Sequence, residues 1–250
     1  MKIVRLLYKK EELWGILKNN HINTVRNHPY QRIRLTSKQI LFKKVKLLAP
    51  TIPTKIILAG LNYKDHAREL KMKIPKEPVI FLKPPTTIVG HNEAIVYPEG
   101  VKRLDYEAEL AVVIKKRARN ISARNAKKYI LGYTCLNDVT ARDLQKKDGQ
   151  WTRAKSFDTF CPIGPWVETD FNPEKANIKL YVNGKLKQDS CTSNFIFSVD
   201  YLVSFISKVM TLLPGDVISS GTPAGVGPLK KHNIVEVEIK GIGRLRNKII

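Results

Sequence analysis

Short apolar stretches separated by polar turns open the chain: KIVRLLY, LWGILK and, further on, ILFKKVKLL. Alternation of this kind predicts strands, gathered in a small β-rich N-terminal module over residues 1–50. Pro50 and Pro53 in LAPTIPTK mark a linker, and residues 51–250 are predicted to form the main domain. KIILAG (55–60) reads as a buried strand closed by Gly60, and NYKDHARELK after it as a short helix. Residues 79–100, with β-branched runs broken by Pro84, Pro85, Gly90 and Pro98, describe strands and loops. LDYEAELAVVIKK reads as one continuous strand. SARNAKKYILGY (122–133) reads as a helix with Ser122 as N-cap and Gly132 near its end.

TCLND is predicted to run as a strand into a helix, TARDLQKK, capped by Thr140. Asn183-Gly184 between IKLYV and KLKQDS is a two-residue hairpin signal. In SVDYLVSFISKVMTLL (198–213), Tyr201, Leu202, Phe205, Ile206 and Val209 fall at helical spacing, with Ser198 as cap and Pro214 as stop. DVISSGTPAGVG is a strand entering a Gly-rich loop, and IVEVEIKGIGRLRNKII holds two terminal strands. Gly241-Ile242-Gly243 is a lone GxG without a strand-to-helix context, so no dinucleotide site is assigned.

Composition adds limits. With 43% hydrophobic and 26% charged residues, and 14 Gly and 14 Pro spread along 250 positions, the profile is globular rather than disordered. No apolar run reaches the roughly 18 residues of a membrane span, and MKIVRLLYKKEELWG lacks the apolar core of a signal peptide, so a cytoplasmic protein without a membrane partner is expected. Cys135, Cys161 and Cys191 are too far apart for a CxxC knuckle and are expected to be buried thiols.

Charge raises a second function class. Lys and Arg number 44 against 22 Asp and Glu, giving +22 and a pI near 9.9. Such a field can neutralise nucleic-acid phosphates or steer small dianions. The bases fall in scattered pairs such as Lys9-Lys10, Lys43-Lys44, Lys115-Lys116, Lys127-Lys128 and Lys230-Lys231, with no basic tail or nucleic-acid-binding motif. A solvated basic surface is therefore expected, with only weak, salt-sensitive, sequence-independent affinity for nucleic acid and no specific nucleic-acid partner.

The candidate chemistry starts in Asp105-Tyr106-Glu107-Ala108-Glu109-Leu110. On a strand, the carboxylates of 105, 107 and 109 share one face. Neighbouring like charges repel, so Glu107 and Glu109 are either well solvated or bridged by a cation. Oxygen ligands favour a hard divalent ion, Mg²⁺, Mn²⁺ or Ca²⁺, and no HExxH or Cys/His cluster points to zinc. Asp138, at the end of TCLND where a helix begins, is the candidate third ligand. His66 and Glu69 sit three apart, so on a helix they lie on one face as a base and its orienting carboxylate.

LDYEAELAVVI, NDVTARDLQ, WTRAKSFDTFCPIGPWV and SSGTPAGVG, in that order and spacing, resemble the fumarylacetoacetate hydrolase family. The resemblance covers roughly residues 55–250, including GLNYKDHARE and FLKPPTTIVG, while MKIVRLLY looks like the small N-terminal domain of some members. It implies an α+β fold, with a β-rich mixed sheet rolled around the active site, and a homodimer. It implies Mg²⁺ or Mn²⁺ (Ca²⁺ able to take its place) on Glu107, Glu109 and Asp138; Lys155 of AKSFD beside metal and substrate; and Arg142, Gln145, Thr222 and Gly221 toward the substrate. His66 and Glu69 match the pair that activates water in hydrolytic members.

A 2-oxo acid offers a carboxylate and an oxo oxygen in a five-membered chelate, which a divalent ion polarises. Backbone N–H groups between Gly221 and Gly227 are expected to form an anion nest for the remaining carboxylate oxygen. The implied reaction is hydrolytic C–C cleavage of a 2,4-dioxo acid, an acylpyruvate or fumarylpyruvate, through the chelated enolate. The same enolate serves isomerases or tautomerases of 2-hydroxyhepta-2,4-diene-1,7-dioate or oxaloacetate type, decarboxylases and dehydratases. One stretch departs from the family: TTIVGHNEAIV, with His91, Asn92 and Glu93, suggests altered substrate recognition.

Overall fold

A computed structural model describes residues 1–250. The strand Ala108–Ile114, apolar but for Glu109, forms the centre of the fold, with every one of its residues buried. It pairs with Ile130–Asn137 on one side and Val217–Ser219 on the other, both antiparallel. From there a twelve-stranded mixed sheet runs outward. On one flank stand Cys161–Glu168, Lys2–Tyr8, Glu11–Lys18, His21–Val25 and Leu35–Leu41; on the other, Ile56–Ala59 and Ile80–Lys83. A five-stranded sheet, ordered Lys185–Cys191, Asn177–Val182, Ile234–Ile239, Gly243–Ile249 and Ala94–Ile95, packs against it. Leu110, Val112 and Cys135 of the large sheet meet Ile178, Leu180, Val237 and Leu245 of the smaller one in the main core. Few helices interrupt this sheet-rich α+β architecture. None is long and apolar enough to cross a membrane.

The first fifty residues fold as an antiparallel meander around Val4, Leu6, Ile22, Ile40 and Leu47. The meander continues the large sheet, because Lys2 and Ile3 pair with Glu168 and Val167. The Asn183-Gly184 hairpin forms as expected, both residues at positive φ. Ser198 caps the helix Val199–Val209, its hydroxyl accepting from the Tyr201 N–H, but that helix ends before residue 213.

Three expectations fail for local reasons. SARNAKKYILGY is not one helix: a 3₁₀ segment, Ala123–Tyr129, gives way to the strand from Ile130, and the Ser122 side chain caps nothing. Gly132 lies inside that strand, where a Cβ would stand 2.4 Å from the Glu168 carbonyl oxygen, so this glycine permits close strand contact rather than ending a helix. Thr140 is not a cap, since Ala141 precedes the helix Arg142–Asp148. LDYEAEL is two strands, Leu104–Tyr106 in a separate three-stranded sheet and Ala108–Ile114 in the large one, with Glu107 at the switch between them.

Candidate metal centre and active-site cavity

The switch at Glu107 builds the site. The chain leaves one sheet and joins another there, and the Glu107 N–H is held by Asn137 Oδ1 at 2.9 Å while its carbonyl accepts from the Asp138 N–H at 2.9 Å. Asp105 stays behind in the small sheet, buried and paired with Arg103 and Arg142, and does not join the other two carboxylates. Glu107, Glu109 and Asp138 converge instead, all buried, each offering an oxygen within 4.8 Å of the others'.

These carboxylates are not equivalent. Burial favours the neutral acid at Glu107, but the Lys155 ammonium and Arg142 guanidinium outweigh it and hold the pKa at about 2. At Glu109, burial and the charges of Asp138 and Glu107 act together and push the pKa well up. Glu109 Oε2 accepts from Ser219 and from the Gly221 N–H at 3.0 Å, leaving Oε1 without a hydrogen bond. Lys155 ends the short helix Thr152–Lys155 and donates to Glu107 Oε2 at 3.0 Å and Asp138 Oδ2 at 2.5 Å. Burial lowers the Lys155 pKa, but Asp138 and Glu107 reverse that and raise it.

The residues fit a hard divalent cation. Three carboxylates in one buried place repel strongly, and Asp138 Oδ1 is buried without a hydrogen bond. The Lys83 ammonium lies 2.6 Å from that oxygen, an ion-pair distance without hydrogen-bond direction. An all-oxygen donor set with unused lone pairs is the environment such an ion takes.

A cavity of about 420 Å³ opens over the triad, and His66, Arg142, Gln145, Lys155 and Thr222 line it as well. Trp151 and Phe81, edge to face at 5.1 Å, together with Leu70 and Met72, supply apolar wall. His66 Nδ1 lies 2.8 Å from Glu69 Oε2 on the helix Lys64–Glu69, which leaves Nε2 for proton transfer. That helix is pinned at both ends: Asp65 Oδ2 accepts from Ser190 Oγ at 2.5 Å and Glu69 Oε1 from the Gly225 N–H at 3.0 Å.

Some expected roles change. Two N–H groups of the expected anion nest are already taken, that of Gly221 by Glu109 and that of Gly225 by Glu69. Gly221 therefore holds one of the triad carboxylates in place. Its φ of +87° and the 3.0 Å from a built Cβ to the Gly60 carbonyl oxygen require glycine. Arg142 spends its guanidinium on Asp105, Glu107 and Gln145 Oε1, so it orients a triad carboxylate as well as lining the cavity. His91, Asn92 and Glu93 do not line the cavity; they brace the loop against Arg246 and Lys46.

Sequence reasoning missed Lys83, Gln188 and Asp65. Lys83 has no exposed side-chain surface and donates to the carbonyls of Val139, at 3.0 Å, and Phe160. A lysine closing the apolar strand IFLK was its only signal. Gln188 joins the Ala108 N–H to Thr222 Oγ1, each at 2.9 Å, so it couples the acidic strand to the GTPAG loop; nothing in KLKQDS marked it.

A family profile described as fumarylacetoacetate (FAA) hydrolase C-terminal matches residues 55–250, and one described as Rv2993c-like, N-terminal, matches residues 1–50. The chain belongs to the fumarylacetoacetate hydrolase family. It is 42% identical to a 2-hydroxyhepta-2,4-diene-1,7-dioate isomerase from Mycobacterium marinum, with a TM-score of 0.94 over 100% of this chain and 98% of that one. Over 219 residues, 83% of this chain and 70% of the relative, it is 41% identical to the mitochondrial oxaloacetate tautomerase of Rattus norvegicus. A maleylpyruvate hydrolase from Sphingobium sp. SYK-6 is 27% identical, with a TM-score of 0.84 over 100% of this chain and 99% of that one. The family scaffold thus carries isomerases, tautomerases and hydrolases, and here it holds the acidic triad that a cation needs.

Proposed function

We propose that this protein is a Mg²⁺- or Mn²⁺-dependent enzyme that hydrolyses a C–C bond in a small 2,4-dioxo acid of acylpyruvate type. The observation that carries the reading is one cavity lined by the acidic triad and by His66, whose Nδ1 is held by Glu69. A cation on Glu107, Glu109 and Asp138 would supply Lewis-acid polarisation of the substrate's 2-oxo group. Glu69 holds the His66 Nδ1–H, so Nε2 takes a proton from water as that water adds to the 4-carbonyl carbon. The C3–C4 bond then breaks, its electron pair passes to the three-carbon fragment, and the proton held by His66 returns to C3 to give pyruvate. The Lys155 ammonium adds positive charge where the enolate oxygen develops, and Thr222, its oxygen occupied by Gln188, still has a hydroxyl proton to donate.

A second reading has its own support. The isomerase and tautomerase relatives are 42% and 41% identical to this chain. His66 removing and returning a proton at C3 of a 2-oxo acid, with no added water, gives tautomerisation from the same groups. The deciding experiment follows acetylpyruvate, fumarylpyruvate, oxaloacetate and a 2-hydroxy-2,4-dienedioate with Mg²⁺ and with Mn²⁺. Pyruvate release from an acylpyruvate supports hydrolysis. Keto–enol exchange of oxaloacetate or dienedioate isomerisation, without cleavage of any acylpyruvate, replaces it with the second reading.

A further inference from the structure

The bases scattered along the sequence are gathered by the fold. The loop between His21–Val25 and Leu35–Leu41 is clasped by Asn27, whose Nδ2 donates to the Arg32 carbonyl at 2.7 Å and whose Oδ1 accepts from the Arg34 N–H at 3.3 Å. This places Arg26, Arg32 and Arg34 around one hollow of about 350 Å³. Gln31 lines that hollow and also a second one of about 520 Å³, into which Lys115, Lys116 and Arg117 are brought from the end of the central strand. The two hollows share Gln31 and so adjoin as one groove, the first within the loop itself and the second between that loop and the main body. It shares no lining residue with the catalytic cavity.

Three properties of this groove bear on what it could hold. No carboxylate lines it. None of its six cationic side chains has an ion-pair partner; Arg68, Arg119 and Arg124 elsewhere have none either, but here the six stand around adjoining hollows. Its floor is aromatic and fixed: exposed His28 stacks on Tyr30 at 5.2 Å and 18°, Trp14 leans on His28 at 5.2 Å, and the Tyr30 hydroxyl is tied to Thr51 at 2.9 Å. Unpaired like charges around a shared hollow repel one another, and a run of phosphates relieves that repulsion while releasing its own counterions. Guanidinium groups match phosphate oxygens in pairs, and an exposed ring beside them takes the face of an unpaired base.

We propose that this groove binds a single-stranded nucleic acid without regard to sequence, its phosphates on the six cations and a base on His28. The test is fluorescence anisotropy of a labelled single strand of about 12 nucleotides, within the span such grooves cover. A duplex and inorganic polyphosphate of equal charge serve as competitors. Arg26→Ala/Arg32→Ala/Arg34→Ala is compared with Lys230→Ala/Lys231→Ala/Lys240→Ala, which removes equal charge outside the groove. The groove variant is expected to lose on the order of tenfold or more in affinity, and roughly 2 units of slope in log K against log salt. The control should keep both. His28→Ala should weaken single-strand binding by on the order of tenfold, with His28→Phe restoring it. Equal losses in the two triple variants would make the effect one of net charge and overturn the site. Competition by duplex and polyphosphate as strong as by single strand, with His28→Ala silent, would overturn the nucleic-acid assignment.

Discussion

Glu107 and Glu109 are two positions apart, yet burial acts on both and ends in opposite ionisation. Glu107 has Lys155 and Arg142 beside it and is held near 2, whereas Glu109 faces Asp138 and Glu107 and is pushed well up. A cation needs both as carboxylates, so it must displace the proton that Glu109 retains above the usual acid range. Metal affinity should therefore rise with pH as Glu109 ionises, with no further gain from Glu107. Calorimetry in buffers of different ionisation enthalpy should show proton release on binding in that window, and its absence would remove Glu109 from the centre. The jobs of triad and dyad separate in the same way. Asp138→Ala should abolish metal binding and every activity together. His66→Ala should keep metal affinity while turnover falls roughly 10²–10⁴-fold, and Glu69→Gln should fall less; full turnover by His66→Ala would exclude it as the base. Lys83→Met strips two buried carbonyls of their donor and Asp138 of a buried counter-charge, an effect of about 3–5 kcal/mol in such pairs. Urea unfolding with and without Mg²⁺ checks this, because the cation should restore part of the loss.

The elements legible in the sequence are those whose local chemistry and packing agree. In Val199–Val209, Ser198 caps the first turn while Val199, Leu202, Val203 and Ile206 face the core, so cap and periodicity point to one answer. Ser198→Ala should cost about 1 kcal/mol, which in a chain of this size lowers the Tm by roughly 2–4 °C, with turnover unchanged. Where the reading failed, tertiary contact overrode local preference. Alanine and lysine in SARNAKKY favour a helix, but the residues from Ile130 are claimed by pairing with Ala108–Ile114 and Cys161–Glu168. Gly132→Ala should be more damaging than the cap change, because its Cβ would strike the Glu168 carbonyl and Val167, and overpacking of this kind typically costs about 1–3 kcal/mol. A melting temperature no lower than that of Ser198→Ala would contradict the packing argument.

At the scale of the whole molecule, the candidate site draws on residues from 59 to 222 that only the sheet topology brings together. The four motifs were legible because each carries its own side chains. Lys83 and Gln188 were not, because they act through burial and through backbone groups of distant segments that no spacing rule connects. The same topology makes metal occupancy a property of the fold. A cation that binds only the folded chain adds about 2.7 kcal/mol of stability at a hundred times its Kd. With roughly 2–4 °C per kcal/mol for a domain of this size, the Tm should rise by roughly 5–10 °C in saturating Mg²⁺ or Mn²⁺ and return to its starting value in chelator. Without the cation, the raised pKa of Glu109 means stability is greatest while that group is protonated and falls as pH rises through its folded-state value. The metal-induced shift should therefore grow with pH over the same window. Asp138→Ala should show no shift at any pH, whereas His66→Ala should match the unaltered protein. A shift of equal size in Asp138→Ala would place the stabilising cation elsewhere on the molecule and separate it from the triad.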